Sequence, residues 1–287
     1  MGVPVGFVLF VAGALCVGCG PGGDGGSGDP RSQRTPDVLG TGARLVDLLL
    51  PRYEAITGAG SWLDPANVDS LACPSIPLDQ ETFVSGVTIT HIDDFDETQG
   101  GAIGNLYVQD TLTPAAPNSG MTVFQPGFSP PDLRVVVGDV MDLFGLITEF
   151  QGPSSSKFGY CRTLPEMSGA MELRFEASDI APTLIPVEDL ATYVGSRQWM
   201  GMLVTVENVV LAEPPFPSAS GRYSIRIDAG SMPLDEDIPS ITNEHMDLEA
   251  VLPATTMAGM VLSRVTGVVT YFYGTHIAPR SAADIEF

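Results

Sequence analysis

Two stretches of the chain repeat one pattern, and this repeat constrains the fold more than any other feature of the sequence. Residues 145–152 read GLITEFQG and residues 267–274 read GVVTYFYG, so both fit G-x-x-T-x-F-x-G with aliphatic residues at the second and third positions. A second pair follows in the same order, Ala177-Ser-Asp-Ile180 and Ala282-Ala-Asp-Ile285. Two ordered matches are hard to obtain by chance. We therefore predict two related modules, residues 80–181 and 182–287.

Both modules have the residues of β-strands. β-branched runs recur between abundant glycines and prolines, and helical periodicity is scarce, which is typical of an all-β chain. The predicted strands of the first module are Phe83–Ile92 with a kink or bulge at Gly86, Gly104–Gln109, Gly120–Phe124, a pair within Arg134–Phe150 turning at Gly138-Asp139, and Met171–Phe175. Those of the second are Met200–Leu211, Gly221–Asp228 and Val261–Tyr273. Such short strands fit a small barrel or a sandwich. Neither module has the Cys…Trp…Cys arrangement that favours an immunoglobulin-like sandwich.

The first module contains four motifs in order, SGVTITHIDDF, GNLYVQD, GMTVF and VVVGDVMDLFGLITEFQG. This order resembles that of the OB-fold modules of bacterial extracellular proteins. The matching positions are Gly86, Val87, Thr88, Tyr107, Gln109, Asp110, Gly120, Val123, Phe124, Gly138, Asp139, Val140, Gly145, Glu149, Phe150 and Gly152. The second module, with VTGVVTYFYGTHIAPRSAADI, is similar to the companion domain of myxobacterial-type tandem OB-fold lipoproteins. The resemblance implies an all-β fold of two related OB-fold-like small β-barrels in tandem. Some relatives carry such a module as an accessory to an extracellular endonuclease/exonuclease/phosphatase domain.

The first 18 residues predict a lipoprotein signal peptide. Residues 3–17 carry no charge and have the length of a signal-peptide core, shorter than the about 20 apolar residues of a spanning helix. Val17-Gly18-Cys19 resembles a bacterial lipobox, although Cys16 stands where that pattern usually has leucine and no Lys or Arg precedes the core. We expect export, acylation of Cys19 and attachment to the cell envelope, with Gly20 favouring the outer membrane. The alternatives are an ordinary cleaved secretory peptide and a retained transmembrane helix.

Between the signal peptide and the first module, the sequence predicts a tether and a lead-in segment. Residues 19–36 are rich in glycine and predict a flexible tether, and residues 37–79 predict a partly helical segment broken at Pro51. Cys73 and Cys161 are the cysteines left once Cys16 is cleaved away and Cys19 acylated. In an exported chain they predict one disulfide. Two separately buried thiols are the alternative.

Charge and motifs argue against a nucleic-acid partner and against an enzyme. The formal net charge is −22, from 13 Lys and Arg against 35 Asp and Glu, and such a chain repels polyanions. The sequence has no GxSxG elbow, P-loop or HExxH motif. His91, His245 and His276 lack the close spacing of a zinc motif. We therefore predict no enzyme activity and no cofactor.

One acidic run is a candidate for a metal site. Asp93, Asp94 and Asp96 lie together in a predicted loop, and their carboxylates could hold Ca²⁺. The run lacks the full spacing of an EF-hand loop. The alternative is a solvated acidic loop that keeps the protein soluble.

Four aromatic residues on predicted strands form a candidate ligand platform: Tyr107, Phe124, Tyr271 and Tyr273. OB-folds often stack bases or sugars on such side chains, and the alternative is that they fill the barrels. Our leading hypothesis is a non-enzymatic, lipid-anchored envelope protein that acts as a binding or structural module, with a protein or neutral polysaccharide partner. The alternatives are a nucleic-acid-binding accessory to a secreted nuclease and a hydrolase with an unrecognised site.

Overall fold

The computed structural model describes residues 42–57, 77–96, 99, 104–111, 114–159, 162–217, 222–230 and 238–287. All of them belong to one compact unit, Thr35–Phe287. The predicted signal peptide and tether lie outside the described residues, as do all four cysteines. The predictions of acylation at Cys19 and of a disulfide between Cys73 and Cys161 therefore remain predictions. Among the described residues, none of the helices is long and apolar enough to span a bilayer.

Residues 80–177 form a closed five-stranded β-barrel with one added strand. The strands are β1 (Gln80–Ile92), β2 (Leu106–Asp110), β3 (Gly120–Val123), β4 (Gly127–Ser129), β5 (Asp139–Phe150) and β6 (Leu164–Ala177). They pair in the order β3-β2-β1-β5-β6-β4, and a parallel pairing of β3 with β6 closes the barrel. Its interior holds fully buried aliphatic and methionine side chains, among them Ile89, Met141 and Met171.

Residues 183–286 form a second barrel with the same connectivity. Its strands are β7 (Thr183–Leu184), β8 (Leu203–Leu211), β9 (Phe216–Pro217), β10 (Tyr223–Asp228), β11 (Ser240–Thr242), β12 (Val261–Tyr271), β13 (Thr275–Ala278) and β14 (Ile285–Glu286). β12-β13-β11-β10-β8 pair in that order, and β12 pairs with β8 to close the ring. In both barrels the third strand of the ring pairs in parallel with the last. Two five-stranded barrels of OB type confirm the predicted all-β fold class.

The repeated glycine has the same structural role in both barrels. Gly145 on β5 lies against the carbonyl group of Ser168 on β6, and Gly267 on β12 lies against that of Ala278 on β13. A Cβ atom at either glycine would collide with this neighbouring backbone. The repeat therefore marks the place where each barrel brings two strands into closest contact.

Gly86 forms the predicted bulge in β1. The register of β1 with β5 shifts between Val84 and Val87, and Gly86 has a φ of +74°. This left-handed conformation costs glycine little and would strain a residue that carries a Cβ. The bulge bends β1 so that it can take part in a closed barrel.

The predicted strand pair within residues 134–150 is wrong, because only Asp139–Phe150 is a strand. Asp139 accepts a hydrogen bond from the backbone N–H of Val136 at 2.8 Å, which fixes a turn where the first strand was expected. Val136 and Val137 are 64% and 53% exposed, so their β-branched side chains do not join the core. An apolar run therefore predicted a strand that the turn chemistry prevents.

Three α-helices complete the described fold: α1 (Leu45–Thr57), α2 (Tyr193–Arg197) and α3 (Leu248–Val251). α1 runs through Pro51, where the sequence predicted a break. Its first backbone N–H groups, at Leu45 and Val46, donate to the Asp110 carboxylate at 3.0 and 2.9 Å. Leu45 packs in the core of the first barrel and Ile56 in that of the second. The stabilisation gained by burying this face of the helix exceeds the cost of the backbone hydrogen bond that Pro51 cannot donate.

Candidate ligand-binding cleft

A cleft of about 250 Å³ lies where the two barrels meet. The first barrel contributes residues on or next to β1, β2, β3, β5 and β6, and the second contributes residues on or next to β10, β11 and β12. Its aromatic lining consists of Tyr107, Phe124, Phe150, Tyr271 and Phe272. Three of the four predicted platform residues therefore come together at one place, although they lie on different barrels.

The four platform residues differ in their surroundings. Tyr107 and Tyr271 are each 2% exposed, whereas Phe124 and Tyr273 are 44% and 42% exposed. The ring of Tyr107 packs on His245 at 4.9 Å, and that of Tyr271 packs on Tyr193 at 5.0 Å. The rings of these two tyrosines are therefore buried against other side chains of the protein. Phe124, by contrast, presents an accessible ring to the cleft.

Tyr273 lies outside the cleft and binds a loop of the first barrel. Its hydroxyl donates to the carbonyl oxygen of Ser156 at 2.5 Å. Its ring packs edge-on against Phe158, which also contacts Phe150, Tyr271 and Phe272. The ends of the two repeated motifs thus meet around Phe158, and this contact holds the barrels together on one side of the cleft.

Glu166 on β6 presents a carboxylate without a counter-charge to the cleft. It is half-buried and, among the described residues, makes no hydrogen bond or ion pair. Burial raises the pKa of Glu166 from 4.5 to about 7, since the charged form loses water and gains no partner. Sequence patterns gave no sign of this residue, because an isolated glutamate on a strand normally faces solvent.

Glu244 and Arg222 form a charge pair on the opposite side of the cleft. Nη1 of Arg222 lies 3.8 Å from Oε2 of Glu244, and the guanidinium lies 4.7 Å from the centre of the Phe272 ring. Glu244 also accepts a hydrogen bond from Thr270 at 2.8 Å. Burial opposes ionisation of Glu244, but Arg222, His245 and other neighbours outweigh it and lower the pKa to about 2. Arg222 is therefore engaged with groups of the protein itself.

Two further polar groups in the cleft lack hydrogen-bond partners. Oγ1 of Thr122 and Oδ1 of Asp93 are both buried, and neither makes a hydrogen bond to a residue that the structure describes. Oδ1 of Asp93 lies 3.5 Å from Nδ1 of His245, without the alignment that a hydrogen bond requires. Thr122 is 4% exposed, as is Asp93. Buried polar atoms without partners are costly, and a ligand in the cleft would supply what they lack.

The structure also buries two histidines where the barrels meet. The rings of His91, on β1, and His245, after β11, lie 4.3 Å apart. Burial, aided by the charges of His245 and Arg280, lowers the pKa of His91 from 6.5 to about 3. The two residues lie on different modules, so no local spacing could reveal their contact.

No group of three His, Cys, Asp or Glu side chains in the described part of the chain is arranged to hold a metal ion. Asp93 is buried beside His245, whereas Asp94 is exposed to solvent, so the predicted calcium candidates do not share one site. His276 is not part of this group and makes separate hydrogen bonds. Its ring nitrogens meet the hydroxyl of Ser240 at 2.7 Å and the carbonyl oxygen of Phe272 at 3.1 Å.

Comparisons with known proteins identify no family for this chain. No protein-family model and no curated protein sequence matches the chain. Among solved structures, the chain is similar to a deletion mutant of the single-stranded DNA binding protein from Thermus aquaticus. The match has 13% sequence identity and a TM-score of 0.19, and it covers 71% of this chain and 92% of that one. A TM-score this low carries no argument, so the fold assignment rests on the strand pairings.

Proposed function

We propose that this chain is a non-enzymatic, lipid-anchored envelope protein that binds a ligand in the cleft between its barrels. The observation that carries the proposal is the combination of an accessible aromatic ring, Phe124, with a carboxylate that lacks a counter-charge, Glu166. Concave sites that combine apolar walls with a few unsatisfied polar groups are typical of ligand binding. The absence of catalytic motifs from the sequence favours binding without chemistry.

The charges of the cleft favour a protein or a neutral polysaccharide as the ligand. The whole chain carries a formal net charge of −22, and Glu166 and Asp93 add negative charge at the site. Arg222 is held by Glu244 and Phe272, so the cleft offers no free cation to a phosphate. Single-stranded nucleic acid requires a positive groove, and the nucleic-acid alternative is therefore less well supported.

Replacing Phe124 with alanine is expected to abolish binding in the cleft while leaving the fold intact. The ring is 44% exposed, so its loss removes ligand contacts and little core packing. Wild type and variant would be titrated calorimetrically with neutral oligosaccharides, short peptides and single-stranded DNA. Phe175→Ala is the matched control, because Phe175 is 88% exposed and does not line the cleft. Unchanged binding of every ligand by Phe124→Ala would exclude the cleft as the site, and DNA binding that depends on Phe124 would favour the nucleic-acid alternative.

Replacing Cys19 with serine is expected to release the protein from the membrane. A hydroxyl cannot take the place of the thiol that accepts the lipid, so the variant should appear in the soluble fraction without incorporating labelled palmitate. Cys16→Leu is the matched control, because it changes the neighbouring cysteine toward the usual lipobox and should stay in the membrane fraction. Unchanged membrane association of Cys19→Ser would rule out the anchor and leave the cleft hypothesis untouched.

A further inference from the structure

Two of the acceptor groups of the cleft lie side by side where β3 meets β6. Thr122 pairs in parallel register with Glu166 across these two strands. The N–H of Phe124 donates to the carbonyl oxygen of Met167 at 2.8 Å and continues the same seam. Thr122, Phe124 and Glu166 all line the cleft. A hydroxyl, a carboxylate and an accessible aromatic ring therefore lie side by side on rigid strands.

The charged groups of the cleft do not balance. Among the described residues that line the cleft, Asp93, Glu166 and Glu244 are opposed by one guanidinium, that of Arg222, which pairs with Glu244. Three carboxylates against one cation leave a net charge of −2 when all are ionised. Because a carboxylate shielded from water interacts more strongly with an added cation, this excess selects a positively charged ligand.

The cleft already shows that its aromatic rings accept cations. The guanidinium of Arg222 lies over the ring of Phe272 at 4.7 Å, within the range of a cation–π contact. Phe124, on the opposite barrel, offers a second ring that is 44% exposed and, in the described part of the chain, has no cation over it. An incoming cation would therefore find a vacant aromatic face beside the unpaired carboxylate of Glu166.

The size of the cleft and its hydrogen-bond acceptors restrict the class of ligand that it can bind. Its volume, about 250 Å³, is below the about 300–1,000 Å³ of pockets that hold drug-sized molecules. It suits one long side chain better than a run of sugar rings. An ammonium group has three donors and no acceptor. Three groups that line the cleft can accept hydrogen bonds from these donors: the carboxylate of Glu166, Oγ1 of Thr122 and Oδ1 of Asp93.

We propose that the cleft binds the ε-ammonium group of a lysine side chain presented by a partner protein, between Glu166, Thr122 and the ring of Phe124. The inference rests on the proposed binding function and specifies its ligand. The formal net charge of −22 supports a basic protein as the source of the lysine, because it attracts such a partner at long range.

The test is calorimetric titration at pH 8 with the peptide acetyl-Gly-Gly-Lys-Gly-Gly-amide, with the acetyl-lysine version as its uncharged counterpart. At this pH Glu166 is largely ionised. We expect wild type to bind the lysine peptide about tenfold more tightly than the acetyl-lysine peptide, since acetylation removes both the charge and the cation–π contact. Glu166→Gln should lose this preference, and Thr122→Val should weaken binding of the lysine peptide.

Glu188→Gln is the matched control, because Glu188 is exposed outside the cleft and its replacement changes the net charge equally. Retention of the lysine preference in Glu188→Gln, with its loss in Glu166→Gln, would support the proposal. Equal lysine preference in wild type and Glu166→Gln would overturn it. If only neutral oligosaccharides bind, and do so through Phe124, the lysine proposal fails while the binding function stands. If neither class of ligand binds, both fail. Equal thermal stability of the variants confirms that folding is not the cause.

Discussion

Replacing Glu149 with alanine is expected to destabilise the folded protein by about 3–5 kcal/mol, the cost of breaking a buried ion pair from one side. The side chain of Glu149 is fully buried. It accepts hydrogen bonds from Nε of Arg52 at 3.0 Å, from Nη2 of Arg197 at 2.8 Å and from Oγ1 of Thr163 at 2.7 Å. Its removal leaves two buried guanidinium groups without a counter-charge. Urea-induced unfolding of variant and wild type would measure the difference in unfolding free energy.

An exposed ion pair supplies the control for this prediction. Glu207 pairs with Arg264 at 3.3 Å, and both side chains are nearly half exposed. Glu207→Ala is expected to cost less than about 1 kcal/mol, because solvent screens that pair. Glu149→Gln keeps the shape and one acceptor while removing the charge, so its cost should fall between the two. Comparable costs for Glu149→Ala and Glu207→Ala would show that the buried triad contributes nothing special to stability.

The triad of Arg52, Glu149 and Arg197 also explains why the two barrels belong to one compact unit. Arg52 lies on α1, Glu149 on β5 of the first barrel and Arg197 at the end of α2, next to the second barrel. A single carboxylate therefore joins the lead-in helix to both barrels. Because buried charges cannot be separated without loss of their partners, we expect these three parts to unfold together.

The barrels could be predicted from the sequence because their pattern of glycines is required by local backbone geometry. The repeated Gly145 and Gly267 mark close strand contacts, and Gly86 marks a bulge, so each leaves a signature in the sequence itself. The turn at Val136 could not be predicted in the same way. There the hydrogen bond from the N–H of Val136 to the carboxylate of Asp139 competes with β-propensity, and only the folded backbone shows which of them prevails.

The sequence identified part of the candidate site and missed its charged residues for a physical reason. Aromatic residues on strands are conspicuous, and Tyr107, Phe124 and Tyr271 do reach one cleft. Periodicity shows which face of a strand a residue occupies but not whether a second barrel covers that face. From the sequence alone, Glu166 and Arg222 therefore cannot be distinguished from ordinary charged residues on the protein surface. Likewise, Arg52 lies 97 positions from Glu149, beyond any local pattern.

The burial of His91 where the barrels meet makes the fold sensitive to acid. Burial, aided by the charges of His245 and Arg280, lowers the pKa of His91 from 6.5 to about 3. In the unfolded chain the ring binds a proton below pH 6.5, whereas the folded protein excludes that proton until the pH approaches 3. The unfolded state therefore holds more protons between these values, and stability falls as the pH is lowered through this range. The loss between pH 7 and pH 5 is about 2 kcal/mol.

Replacing His91 with phenylalanine is expected to remove this loss, because the side chain stays aromatic and no longer titrates. At pH 7 the substitution strands no donor or acceptor among the described residues, since Nε2 of His91 has no hydrogen-bond partner there, so its cost is that of fitting a slightly larger ring. Urea-induced unfolding at pH 7 and pH 5 would measure the unfolding free energy of wild type and variant. Glu166 contributes with the opposite sign, since its raised pKa stabilises the fold as the pH falls below 7, but this contribution is common to wild type and variant and cancels in their difference. An equal loss of stability in both proteins between pH 7 and pH 5 would show that a group other than His91 makes the fold sensitive to acid.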